Sequence, residues 1–131
     1  KAVLKRLLNE EPLQYILGTT SFRSLELQVT PAVLIPRPET EELVEWILED
    51  YKSIEHKHVV IDIGTGSGCI AISLAKDQPF FNVSALDISS KALEIAKSNA
   101  IKNKTVINFL QADILKLSNL NKKCSPFVLN P

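Results

Sequence analysis

Residues 59–68 run Val-Val-Ile-Asp-Ile-Gly-Thr-Gly-Ser-Gly, an apolar stretch that leads straight into three glycines at alternate positions. A near-continuous apolar run of this length suits a parallel strand covered on both faces. Glycines at its end permit a tight turn, close approach of a ligand to the backbone, and a following helix whose first N–H groups open onto the turn. The rest of the chain extends this unit. Helical spacing predicts helices from Pro38 to about Tyr51, from Ile70 to Lys76 and from Ser90 to Lys102, the last capped by Ser89 or Ser90. Apolar runs predict strands at Val83–Leu86 and Val106–Leu110, and another beginning at Phe127–Leu129. Alternation of this kind belongs to the doubly wound α/β class, with a mostly parallel sheet that binds ligands at the carboxyl ends of its strands.

Ahead of this unit, Val3, Leu4, Leu7 and Leu8 have helical spacing, and Glu11-Pro12 interrupts the helix. Between Tyr15 and Val33 the alternation of Leu25, Leu27 and Val29, with Gly18 as a turn point, predicts a β-hairpin acting as a connector or lid. The expected division is therefore 1–34, the end of an N-terminal helical domain plus a hairpin linker, and 35–131, the α/β domain. In the helix starting at Pro38, residues Leu43, Val44, Trp46, Ile47 and Leu48 are expected to supply the buried side, with Trp46 in the core rather than as a stacking platform.

With 131 residues, 45% of them apolar and 23% charged, the chain has material for one core. Fifteen basic residues balance fifteen acidic ones, so no net field favours a polyanion, and nucleic acid is disfavoured as a direct partner. Cys69 and Cys124 are far apart and lack metal-ligand spacing, which predicts two reduced thiols, no metal site and an intracellular protein, cytoplasmic or mitochondrial. Neither a membrane span nor a secretory leader is expected. The absence of methionine and the end at Asn130-Pro131, directly after a predicted strand, suggest a piece of a longer protein truncated at its C-terminus.

The glycine loop departs from the dinucleotide fingerprint G-x-G-x-x-G, because Cys69 stands three residues after Gly66 and the third glycine, Gly68, comes one residue early. That disfavours a nicotinamide or flavin oxidoreductase. The form Asp62-x-Gly64-x-Gly66-x-Gly68, with Thr65 inside it, resembles the loop of class I methyltransferases, where it receives the amino-acid part of S-adenosylmethionine. Asp87 ends the second predicted strand 19 residues after Gly68, where a carboxylate can accept hydrogen bonds from both hydroxyls of a ribose, with Ile88 beside it. Asp113 and Ile114, after the third strand, are candidates for an adenine pocket. Asn130-Pro131, at the end of the fourth strand, resembles the first half of the Asn-Pro-Pro-Tyr motif of amino-group methyltransferases.

A narrower resemblance lies upstream. Glu11-Pro12-Leu13-Gln14-Tyr15-Ile16-Leu17-Gly18, then Phe22, then Leu34-Ile35-Pro36-Arg37-Pro38-Glu39-Thr40-Glu41-Glu42-Leu43-Val44, together with residues 62–68, resemble the HemK/PrmC family of release factor glutamine methyltransferases. The resemblance covers most of residues 11–113 and departs from the family pattern over 118–127. It implies S-adenosylmethionine as cofactor, a peptide chain release factor as protein partner, and methyl transfer to a glutamine side-chain nitrogen to give N5-methylglutamine. On it, Asn130 and Pro131 are the expected catalytic and substrate-binding residues, Asn130 also touches the cofactor, and Arg37 and Glu41 support the substrate at the mouth of the site. An adenine-N6 or guanine-N2 nucleic-acid methyltransferase is the nearest alternative, and a non-catalytic cofactor-binding or interaction module is another.

Overall fold

In the computed structural model, residues 2–116 and the backbone strand Phe127–Leu129 are described. The chain opens with helices α1 (Ala2–Leu8) and α2 (Leu13–Leu17), followed by strands β1 (Thr19–Phe22) and β2 (Leu25–Gln28). Helix α3 (Pro38–Asp50) precedes the alternating series β3 (His58–Ile63), α4 (Cys69–Asp77), β4 (Phe81–Asp87), α5 (Ser90–Lys102) and β5 (Asn108–Gln111). A 3-10 turn at Ile114–Lys116 and strand β6 (Phe127–Leu129) complete the described elements.

Strands β3 to β6 form one parallel sheet in the order β5-β4-β3-β6. The chain leaves β3 toward β4 on one side and later returns to place β6 on the other. That reversal is a topological switch point, and the crevice outside the strand ends there is where such sheets take ligands. The covered strand appears as expected, with Val60, Ile61 and Asp62 buried in succession. Helix α4 buries every residue from Cys69 to Leu74. It touches β3 and β4 as well as α3 and α5, so its apolar surface is covered all round. In α5 the buried positions Ala92, Leu93, Ala96, Asn99 and Ala100 form one stripe, and the Ser89 hydroxyl accepts the Ala92 N–H at 3.2 Å, making Ser89 the cap.

The hairpin is shorter than its alternation suggested. Residues 13–17 are helical, and Gly18 ends that helix in the left-handed conformation (φ 79°) instead of turning the hairpin. The turn lies at Arg23 and Ser24, whose φ values of 46° and 69° have the sign that a two-residue hairpin turn matching strand twist requires. Rather than standing off as a separate arm, the hairpin sends Phe22, Leu25 and Leu27 into the same core as Val44, Val60, Ile70, Leu74 and Val83. Arg23 holds its tip down, pairing with Glu45 of α3 and with Asp77 of α4 at 2.9 Å.

Helix α3 corrects one expectation. Val44 is fully buried and Ile47 and Leu48 join the core, but Trp46 is 73% exposed and Leu43 lies at the surface. The expected set spanned more of the helix circumference than the face resting on α4 covers. Among the strands, β5 begins at Asn108, and Val106 is almost wholly exposed, preceding the ladder rather than joining it.

Candidate functional site

The switch-point crevice opens beside the loop from Gly64 to Gly68. All three loop glycines have positive φ, 74° at Gly64, 55° at Gly66 and 87° at Gly68. Two of them serve different ends. A Cβ at Gly66 would meet no atom within 4 Å, so that position faces open space. At Gly68 it would lie 3.1 Å from Ile72 Cδ1 and 3.3 Å from Ala96 Cβ, so this glycine lets α5 approach the start of α4. Gly68→Ala therefore combines backbone strain with a clash and is expected to lower unfolding stability by about 1–3 kcal/mol. Urea denaturation checks this, and an unchanged midpoint would contradict it.

Beneath the loop, Asp62 is fully buried. Its Oδ2 accepts the Thr65 hydroxyl at 2.7 Å, whereas Oδ1 has no hydrogen-bond partner. Burial pushes its carboxyl up to about 6, against the opposing pull of the Thr65 hydroxyl and the Ala71 N–H, and the Asp87 charge adds to the rise. Burial likewise raises the Cys69 thiol to about 12, with the charge on Asp62 contributing, so this sulfur at the edge of the crevice is a neutral thiol and not a nucleophile.

Asp87 stands at the carboxyl end of β4, half-buried. Its Oδ2 accepts the Gly66 N–H and its Oδ1 the Ser89 N–H, both at 3.0 Å. Each oxygen retains acceptor capacity beyond that one bond. The carboxylate thus orients the loop and still offers both oxygens to a ligand.

The crevice is a cleft of about 780 Å³, within the size range of small-molecule sites. One wall is Gly64, Gly66, Ser67, Cys69 and Asp87, and the other is the segment 32–38 with Tyr15. The Tyr15 hydroxyl donates to the Val33 carbonyl at 2.6 Å, fixing that second wall to α2.

Of the residues picked out in the sequence, Gly64, Gly66, Asp87 and Arg37 line this cleft. Asp62 and Thr65 lie buried behind the loop, and Gly68 is the N-cap of α4. Arg37 is exposed just ahead of α3 and forms no ion pair with a described residue, while Glu41 lies in the first turn of α3 outside the main cleft. Ile88 is 67% exposed next to Asp87. Ile114 begins the 3-10 turn after β5 with Asp113 just ahead of it, and Asp113 Oδ1 accepts the Leu115 N–H at 3.0 Å. Asn130, Pro131 and Cys124 lie outside the described residues. Among the described residues, no group of His, Cys, Asp and Glu is arranged to hold a metal, and no helix is long and apolar enough to cross a membrane.

Two contributors were missed. Tyr15 entered only as part of the hairpin and of the stretch resembling the HemK/PrmC family, and Asn99 was not singled out, because their partners are backbone atoms distant in sequence.

A parallel sheet that reverses its order beside β3, with a glycine turn on that strand and a carboxylate on the next, is a Rossmann-like α/β domain of the class I methyltransferase type. The family model described as "Methyltransferase small domain" matches residues 40–131, and the chain belongs to that family. It is 50% identical, over its whole length, to the release factor glutamine methyltransferase of Flavobacterium psychrophilum, covering 47% of that protein. To the protein of the same name from Lactococcus lactis it is 52% identical over 86% of this chain and 41% of the relative. The chain thus spans about half the length of the curated relatives it matches. Among solved structures, the SAM-dependent methyltransferase from Agrobacterium tumefaciens superposes with a TM-score of 0.70 over 86% of this chain and 39% of that one, at 18% identity, a likeness of fold.

Proposed function

We propose that this chain is the cofactor-binding part of an S-adenosylmethionine-dependent methyltransferase of the HemK/PrmC type, acting on the side-chain amide nitrogen of a glutamine in a peptide chain release factor. The observation that carries the proposal is the pairing of an open, positive-φ Gly66 with an Asp87 whose two oxygens each hold only one backbone amide, that of Gly66 and that of Ser89. Such a wall suits a ligand with a ribose diol beside a compact polar chain. Identity of 50% and 52% to two release factor glutamine methyltransferases supports this acceptor over a nucleobase. So does the absence of net charge in the chain.

In this proposal Asp87 accepts both ribose hydroxyls, and the backbone from Gly64 to Gly66 lies along the amino-acid part. Asp62 and Thr65 brace the loop from behind, Gly68 starts α4, and Ile88, Asp113 and Ile114 surround the adenine. S-adenosylmethionine, when bound, supplies a methyl group on a positively charged sulfur, an electrophile that needs no metal. The chain's own task is then to orient the acceptor. An amide nitrogen is a weak nucleophile because its lone pair is delocalised, so it must be held in a near-attack geometry. Asn130, through its side-chain oxygen, and Pro131, through its carbonyl, accept hydrogen bonds from the glutamine NH2. Acceptors fixed there also favour the positive charge that develops on nitrogen. Arg37 and Glu41 support the substrate segment at the mouth. Residues 1–34 are the end of an N-terminal helical domain and its linker, and 35–131 the methyltransferase domain, joined through the buried face of the hairpin.

The test is mass spectrometry of a bacterial release factor incubated with the full-length protein and S-adenosylmethionine. A gain of one methyl group on a single glutamine is expected. Methylation of a nucleic acid substrate with the release factor unmodified would overturn the proposed acceptor.

A further inference from the structure

Asn99 begins the last turn of α5, still inside the helix, where asparagine is a poor helix former, and it is fully buried. A buried amide is tolerated when its donors and acceptor are used. Here the Gln28 N–H donates to Asn99 Oδ1 at 2.6 Å, and Nδ2 donates to the Gln28 carbonyl at 3.0 Å and to the Ser67 carbonyl at 2.9 Å. The opposite amide orientation would set donor against donor and acceptor against two acceptors.

Of those partners, one lies in a wall of the cleft and the other lies four residues ahead of the opposite wall. Ser67 lies between Gly66 and Gly68 in the loop wall. Gln28 ends β2 and leads directly into the opposite wall. That stretch is held on α5 by Val29 and Val33, both buried against Ala92, with Tyr15 and Ile95 alongside. One side chain therefore ties the loop wall to the root of the segment 32–38.

We infer that Asn99 is a positioning residue that sets the spacing of the two cleft walls, so that the loop presented to S-adenosylmethionine and the segment facing it move as one body. The inference rests on the cofactor assigned above. A wall held in register before binding needs no ordering when the ligand arrives. Without the amide, the Gln28 N–H and carbonyl and the buried Ser67 carbonyl lose their shared partner, and the two walls are free to separate.

The experiment combines S-adenosylhomocysteine titration with amide hydrogen exchange on the full chain. Asn99→Ala is compared with Val44→Ala, a core truncation in α3 outside both walls, at a temperature where circular dichroism shows both folded. Affinity is expected to fall roughly tenfold or more in Asn99→Ala and to stay near wild type in Val44→Ala. Equal affinities in the two variants would mean a purely structural role and overturn the proposal. In the wild-type chain, which needs no variant to fold, ligand is expected to slow exchange of the Gln28 amide together with that of Gly66, although Gln28 does not line the cleft. Protection of Gly66 alone would also overturn it. A wild-type chain that is folded and binds no S-adenosylhomocysteine would instead sink the cofactor assignment, and the proposal with it.

Discussion

Asp87→Ala is expected to weaken S-adenosylhomocysteine binding by at least about 100-fold while leaving the circular dichroism spectrum unchanged. Two hydrogen bonds from a ligand to a charged acceptor are each worth about 1.5–3 kcal/mol, and every 1.4 kcal/mol is about tenfold in affinity. The substitution also releases the Gly66 and Ser89 amides, each bonded to the carboxylate at 3.0 Å, so the loop loses its anchor with its ligand. Because Asp87 is only half-buried, those amides can turn to water and the fold survives. Calorimetric titration of wild type and variant under identical conditions checks this. A variant that binds as tightly as wild type would remove Asp87 from the site.

The second large effect is one of stability against pH. The Asp62 carboxyl, ordinarily near 3.8, is raised to about 6 because burial disfavours the charged form by more than the Thr65 hydroxyl and the Ala71 N–H favour it. The folded state therefore prefers the protonated form. The contribution of this group to stability is full below pH 3.8 and is lost as the pH rises through about 6. A shift of this size corresponds to about 3 kcal/mol. Asp62→Asn carries no charge to bury, so its unfolding free energy minus that of wild type is expected to grow by about 2 kcal/mol from pH 4, where the unfolded carboxyl is already partly ionised, to pH 7. Taking the difference between the two proteins cancels the other carboxylates. Urea denaturation at steps of pH gives the two curves, and parallel curves would show that Asp62 titrates normally.

Legibility in the sequence followed the range of the interactions involved. The series from β3 to α5 was readable because its signals are local, with an apolar run, a glycine turn, a serine cap and helical spacing within a few residues of one another. The Asp87 position could be found for the same reason, since strand end and loop are linked by one crossover. Trp46 misled because helical spacing shows which residues share a face but not how wide the neighbouring surface is, and α4 covers only the side of α3 that carries Val44. Gly18 misled because glycine serves equally as a hairpin turn and as a helix terminator, and only the chain on both sides decides between them.

Asn99 lay beyond reach for another reason. Its partners are backbone atoms 71 and 32 residues away, and backbone groups leave no trace in residue identity. The same holds for the Tyr15 hydroxyl on the Val33 carbonyl, 18 residues on. Residues Asn130 and Pro131, on which methyl acceptance rests in the proposed function, were readable only through resemblance, because an Asn-Pro pair alone is a turn signal.

The most direct test of the central claim is calorimetric titration of the folded wild-type chain with S-adenosylhomocysteine, with NADH titrated in parallel. A free acceptor face on Asp87, beside a glycine loop that carries Cys69 where the dinucleotide fingerprint has its third glycine, predicts one-to-one saturable binding of S-adenosylhomocysteine and none of NADH. Binding of NADH with no response to S-adenosylhomocysteine would contradict the account and return the chain to the dinucleotide-binding class.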